Sequence, residues 1–240
     1  MSIERSRQLL SDASTVLVVT GAGISAESGI PTFRGDGGLW EGFRAEELAT
    51  PQAFERDPGL VWRWYRWRRR ICNEAPPNPG HDALVRLEER IPRFLLVTQN
   101  VDGLHPRSGS RKLIEIHGCI DQARCTQTGR VFPIDDGRWE EGVLLDPESS
   151  ALARPHILWF GESYWEGTLD AGLQFAQRGV DVCLVVGTSG MVWPPAALAL
   201  HAKERGAVLV EVNPNRGQVT QHADIWLRGP SGELLPQLVD

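Results

Sequence analysis

Three short stretches of this 240-residue chain carry side chains at spacings that could do chemistry. The first is TQNVDGLH, Thr98–His105, which sets Gln99, Asn100 and Asp102 just after the apolar run FLLVT. Two amides and a carboxylate at the carboxyl end of a buried strand are groups that face a ligand in an open α/β sheet; the competing use of Asn and Asp there is loop capping. The second is His117, which follows LIEI and precedes Gly118. An imidazole titrates near neutral pH and suits general-base work, though an isolated histidine is more often structural. The third is Tyr65 with Arg68 in VWRWYRWRRR. Residues three apart share a helix face, and a phenol beside a guanidinium can bind a carboxylate, the arginine in bidentate fashion. The competing use of that run is a solvated basic face or a patch for an acidic partner.

Two further loops follow apolar runs. TVLVVT leads directly into Gly21-Ala-Gly-Ile-Ser-Ala-Glu-Ser-Gly29. Glycines after a strand let backbone N–H groups approach a dinucleotide pyrophosphate. The spacing is not a clean GxGxxG, so ordinary tight-turn glycines are the alternative. Gly187, Thr188 and Ser189 follow VCLVV. Small hydroxylated residues there can donate to phosphate or ribose oxygens, or cap the helix that PPAALAL begins.

The elements that must position these loops are visible as short apolar runs: Thr15–Thr20, Phe94–Thr98, Val182–Gly187 and Ala207–Val212, with Asp224–Leu227 as a candidate edge strand. Helix-like stretches lie between them at His81–Arg90, Gly167–Arg178 and Pro195–Arg205. The alternation predicts an α/β fold, a Rossmann-like doubly wound parallel sheet with ligands at the strand carboxyl ends. Two segments interrupt it, one Trp- and Arg-rich, the other acidic and rich in turn formers. The expectation is a single catalytic domain with a core over about 1–32, 80–118 and 155–240 and a small inserted lobe over about 33–79 and 119–154.

Composition narrows the classes. A formal net charge of -6 argues against general nucleic-acid affinity. No apolar stretch approaches the ~18–20 residues of a membrane span, and MSIERSRQLL lacks a signal-peptide core, so a cytoplasmic location with no membrane partner is expected. Cys72, Cys119, Cys125 and Cys183 are too few for a disulfide framework. No acidic residue follows the glycine loop at the usual ~20-residue offset in a clear strand, which disfavours a redox dinucleotide enzyme.

The glycine loop continues as GAGISAESGIPTFRG through Gly35, and TQNVDGLH, HG, RPHILWFGE, VGTSG and VEVNP follow in order across nearly the whole chain. Together these blocks resemble the sirtuins, NAD-dependent protein deacylases. The resemblance implies NAD as co-substrate and acylated-lysine proteins or peptides as partners. Acyl groups would be removed from lysine with release of nicotinamide and O-acyl-ADP-ribose. It implies that His117 is the base and that Asn100 acts beside it, while Gln99, Asn100 and Asp102 serve the nicotinamide half. Gly21, Ala22, Gly23, Ser25, Phe33, Arg34 and Trp40 would line the cofactor pocket with Gly187, Thr188 and Ser189. Asn213, Asn215 and Ser231 would meet the adenosine half. Phe160, Gly161 and Glu162, within WFGE, would form an edge strand pairing with substrate backbone. His81, His105 and His156 are assigned structural roles. In one sirtuin subgroup a Tyr-x-x-Arg pair selects succinyl, malonyl or glutaryl groups, which Tyr65 and Arg68 match. An NAD hydrolase or ADP-ribosyltransferase using the same pocket is the competing enzyme, and an idle NAD-binding scaffold the competing class.

The chain departs from the family at zinc. Most sirtuins carry C-x-x-C twice. Here Cys125 stands at the first position, Thr128 at its partner's, and no cysteine lies between Cys125 and Arg154. Two thiolates do not close a tetrahedral site, so no metal is expected. The lobe is expected to use Phe132, Trp139, Val143, Leu144 and Leu145 as its core.

Overall fold

The six residues of TVLVVT are all buried, as befits a strand covered on both faces, where side chains alternate between two cores rather than between core and water. In the computed structural model of the chain, residues 2–31, 40–135, 142–190 and 195–239 are described. Phe33, Arg34, Trp139 and Trp193 lie outside the described residues.

The elements run α1 (Ser2–Asp12), β1 (Thr15–Thr20), a 3₁₀ turn (Ala22–Ser28), α2 (Ala45–Leu48), α3 (Pro51–Arg56), α4 (Pro58–Glu74), α5 (Pro79–Arg90) and β2 (Arg93–Thr98). Then come α6 (Leu104–Ser108), β3 (Leu113–Glu115), β4 (Gly118–Cys125), β5 (Val131–Pro133) and β6 (Ala153–Ile157). The last third holds α7 (Thr168–Gln177), β7 (Val182–Val186), α8 (Pro195–Glu204), β8 (Val208–Val212), β9 (Ile225–Leu227) and α9 (Ser231–Val239).

A six-stranded parallel sheet has the order β3-β2-β1-β7-β8-β9. This is the doubly wound α/β arrangement that the alternating runs predict. On one face Val16, Val18, Leu96 and Leu184 pack with Leu84 and Leu87 of α5 and Leu235 and Leu238 of α9. On the other, Leu17, Val19, Val97 and Val185 pack with Ala176 of α7 and Leu198 and Ala202 of α8. Three helices begin with a capping side chain followed by proline: Thr50, Asp57 and Asn78 accept backbone N–H groups ahead of Pro51, Pro58 and Pro79. Proline's fixed φ and missing donor cost nothing at that first position.

A second sheet, β5-β4-β6, is antiparallel. Its core joins Ile120, Phe132, Ile134 and Leu144 to Trp62 and Trp64 of α4. One expectation fails here. Val143 is 38% and Leu145 50% exposed; only Leu144 between them points inward, because an extended segment alternates its side chains. β6 ends at Ile157 and the chain turns at Phe160 and Gly161, within the Trp159–Glu162 segment expected to pair with substrate backbone.

Candidate active site

β1 lies between β2 and β7, so the winding of the sheet reverses beside it and a crevice opens at the carboxyl ends of those strands. Gly21 leaves β1 with its N–H donating to Val186 O at 3.0 Å, and Gly23 N–H donates to Gly187 O at 2.8 Å. A Cβ on Gly23 would stand 2.7 Å from Gly187 Cα, and Gly187 itself has φ +60°. The loops after β1 and β7 therefore touch backbone to backbone, which only glycines permit. Asn78 ties the loop down from below, its Nδ2 donating to Ile24 O at 2.7 Å.

A cavity of about 610 Å³ opens at this junction, walled by Gly21, Ala22, Gly23, Gln99, Asn100, His117, Gly187, Thr188, Ser189, Asn213 and Asn215. Phe160, Gly161 and Glu162 also line it. Its size is that of a small-molecule or cofactor site. Glu162 does more than face the cavity: its oxygens accept from the Arg154 guanidinium at 2.5 and 2.9 Å and from Trp159 N–H at 2.8 Å. The WFGE segment is thus a turn pinned by its own carboxylate.

The polar residues after β2 form one linked chain. Ser25 Oγ donates to Asp102 Oδ2 at 2.7 Å and accepts from Asn100 Nδ2 at 3.1 Å. Asp102 Oδ1 accepts from Leu104 N–H at 2.9 Å. Behind them Thr20 Oγ1 donates to Thr98 Oγ1, which also accepts from Asn100 N–H at 3.0 Å. Thr20 has then spent its proton, so His105 Nε2–H donates to it at 3.0 Å. Burial holds His105 well below the ordinary imidazole value, and it lies edge-on to buried His81.

His117 is fixed at both nitrogens. Nδ1 lies 2.9 Å from the Gln99 carbonyl, which can only accept, so the proton is on Nδ1. Nε2 then accepts from the Tyr164 hydroxyl at 2.8 Å. Tyr164 lines the same cavity. It was not among the expected site residues: it lies in the loop after WFGE, and nothing in its spacing links it to a histidine 47 positions earlier.

A second cavity of about 190 Å³ shares Ala22, Gln99, Asn100, His117, Leu158 and Phe160 with the first. Tyr65, Arg68, Glu46, Ser25 and Asp102 also line it. Tyr65 is 2% exposed. Its Oη accepts from Trp159 Nε1–H at 2.9 Å, which leaves the phenolic proton for another acceptor. The Arg68 guanidinium lies 4.8 Å from the Trp64 ring centre and 5.5 Å from that of Tyr65. Two expected residues lie on neither wall. Ser231 Oγ donates to Glu27 at 3.2 Å, and Trp40 packs against Trp67 at 6.3 Å between ring centres.

Residues 21–194 match the model of the Sir2 family. The chain belongs to that family, the sirtuins. It is 49% identical over 232 residues to NAD-dependent protein deacylase 2 of Pyrobaculum aerophilum, covering 97% of this chain and 92% of that protein. It is 50% identical over 227 residues to an NAD-dependent protein deacylase of Leptospira interrogans, covering 93% and 91%. Among solved structures, a Sir2 homologue in complex with NAD superposes with a TM-score of 0.91 at 41% identity, over 98% of this chain and 92% of that one. A Sir2 variant with a deacetylated p53 peptide and 3′-O-acetyl-ADP-ribose superposes with a TM-score of 0.89 at 29% identity, over 99% and 97%.

In this sirtuin the cysteine at the first zinc-type position has protein partners. Cys125 Sγ lies 3.5 Å from Ser149 Oγ and accepts from Thr128 N–H at 3.5 Å. Ser149 in turn donates to Asp146 at 2.9 Å. Among the described residues no group of three or more His, Cys, Asp or Glu side chains is arranged to hold a metal ion.

Proposed function

We propose that the chain is an NAD-dependent protein-lysine deacylase that favours acyl groups ending in a carboxylate. The observation that carries the reading is the meeting of the two cavities at Asn100 and His117, with Tyr65 and Arg68 lining the smaller one.

The residues fit a dinucleotide. The Gly21–Gly23 and Gly187 backbones form a cradle that side chains would fill, and the Thr188 and Ser189 hydroxyls line it. These would hold the pyrophosphate, Asn213 and Asn215 the adenosine half, and Asn100 and Asp102 the nicotinamide half. NAD, when bound, supplies an electrophilic ribose carbon that loses nicotinamide and accepts the acyl oxygen. The chain's own residues do the rest. Gln99 O keeps the proton on Nδ1 of His117, so Nε2 is the nitrogen that takes a proton from a ribose hydroxyl. Ser25 fixes Asp102 and Asn100 relative to one another before ligand arrives, which lowers the ordering cost of binding. Tyr65 O–H and the Arg68 guanidinium would bind the distal carboxylate by charge-assisted hydrogen bonds. Exposed Phe160, 53% accessible at the mouth of both cavities, offers apolar surface to the lysine stem.

The test is mass spectrometry of acetyl-, malonyl- and succinyl-lysine peptides incubated with the protein and NAD. Faster loss of malonyl or succinyl groups, with nicotinamide release dependent on acyl-peptide, is the expected result. Nicotinamide release at the same rate without peptide would instead mark an NAD hydrolase.

A further inference from the structure

The geometry points to Tyr164 as a positioning residue for His117: its hydroxyl holds Nε2 aimed into the cavity and yields that nitrogen when a substrate hydroxyl arrives. The inference rests on the reading of His117 as the base.

Three observations carry it. The Gln99 carbonyl fixes the proton on Nδ1, so in the neutral ring Nε2 is the acceptor and Tyr164 the donor. Both side chains line the larger cavity, so the hydrogen bond lies where substrate must reach the base. The Tyr164 ring is itself anchored, packed on the apolar cluster that includes Ile116 and Leu198. The segment that carries it runs between Gly161 and Gly167, both at positive φ, and is pinned at one end by the Glu162–Arg154 pair.

Several of the charged and titratable groups that share these cavities with His117 have partners of their own. On the larger cavity, Glu162 is held by Arg154, and Arg216 lies 5.0 Å from the Trp226 ring centre. On the smaller one, Asp102 is held by Ser25 and Leu104, Tyr65 accepts from Trp159, and Arg68 lies over Trp64. Glu46 and Cys72 line that cavity as well. Tyr164 is hydrogen-bonded to Nε2.

The pair is suited to a proton cycle. While His117 is neutral the phenol donates to Nε2. After Nε2 takes the proton of a substrate hydroxyl, the Tyr164 oxygen can accept from Nε2–H. Burial pushes the phenol up to about 12, so it keeps its own proton throughout. The phenol therefore hydrogen-bonds both protonation states of the ring, and what it contributes is the aim of Nε2 into the cavity.

The test is Tyr164→Phe, which keeps the ring and removes the hydroxyl. His117 is titrated by NMR in histidine-labelled free protein, with His117→Gln identifying its resonance, and NAD affinity is measured by calorimetry. The expected result is a shifted Nε2 resonance of neutral His117, the signature of a lost hydrogen-bond donor, with kcat/KM lowered by about 2–10-fold, the size of one neutral hydrogen bond, and NAD affinity unchanged. An Nε2 resonance that does not move in the variant, or an unchanged kcat/KM beside a moved resonance, overturns the inference. If wild-type protein binds NAD but activity survives His117→Gln, the base assignment fails instead, and the Nε2 resonance still decides the Tyr164 contact.

Discussion

The Asp146 carboxylate is capped by the Arg130 guanidinium and is 1% exposed, while the arginine is 31% exposed. Ser149 Oγ and Glu148 N–H donate to the same carboxylate at 2.9 and 3.0 Å, and Cys125 touches Ser149. Arg130 sits beyond the turn after β4 and Asp146 between β5 and β6, so the cluster ties the two ends of the small sheet. It occupies the region where the zinc-type cysteine pattern begins. The missing cysteines and a buried carboxylate whose partners are in place therefore meet there.

A buried carboxylate left without its cation is costly. Arg130→Met should loosen residues 142–153 while leaving the parallel sheet folded. Faster hydrogen exchange or proteolysis confined to this region is the expected signature; uniform loss across the chain would contradict it. The Arg130 hydrogen bond holds the Asp146 carboxyl well below its ordinary value of 3.8. With the folded value depressed, the contribution is complete above 3.8 and is lost as pH falls below it. Chelators should change neither the melting temperature nor the exchange pattern, and stoichiometric zinc by elemental analysis would refute the metal-free reading.

His117→Ala should slow acyl-peptide turnover by roughly 10²-fold or more, the usual scale for a general base. NAD affinity should change little, because the glycine cradle and the loops after β7 and β8 are untouched. Calorimetry beside steady-state kinetics separates the two effects. Near-normal turnover would remove His117 from the chemistry.

Most of the sheet was legible because burial on both faces leaves no alternation to misread: TVLVVT and VCLVV are buried throughout. The places of Gln99, Asn100, His117, Thr188 and Asn213 on the cavity wall were legible for a related reason, since each follows a strand whose end the sequence marks. The small sheet was not. β4 reads GCIDQARC, and its pairing with β6 shifts register between Gly118 and Ala123, which breaks the period of two. Tyr164 was invisible because its link to His117 is a contact across the crevice, and the Ser231 hydroxyl, which the resemblance set against the adenosine half, meets Glu27.

Glu115, at the end of β3, supplies a pH effect of opposite sign to Asp146. Burial, with Asp102 and Asp121 adding repulsion, pushes its carboxyl up from 4.5 to about 7. Between those values the folded chain holds a proton that the unfolded chain has lost, so stability falls as pH rises through the window. Glu115→Gln, which mimics the protonated form, should stabilise the protein at pH 8 by on the order of 1–3 kcal/mol and have little effect near pH 4.5. Thermal melts of both proteins across that range check it. An equal shift at both pH values would mean that shape rather than charge is at work.

On the proposed function, Arg68 is the acyl selector. Its guanidinium lies over Trp64 and Tyr65 and lines the smaller cavity beside Asn100. A charge-assisted hydrogen bond to a substrate carboxylate contributes on the order of 1.5–3 kcal/mol, roughly a 10–150-fold preference in kcat/KM. The effect is confined to substrates that carry the carboxylate. Arg68→Met should therefore lose desuccinylation by about that factor while keeping or gaining deacetylation, because the cavity becomes less polar. Arg68→Lys keeps the charge but not the planar fork, and should fall between the two. Tyr65→Phe removes only the phenolic proton that Trp159 leaves available, so it should cost a smaller share of the same preference. A surface arginine in a basic run predicts no change in selectivity. Equal losses on acetyl- and succinyl-peptides would point to a defect in folding or NAD binding, since Arg68 also packs on two buried aromatic rings, and would end the assignment of Arg68 as the selector.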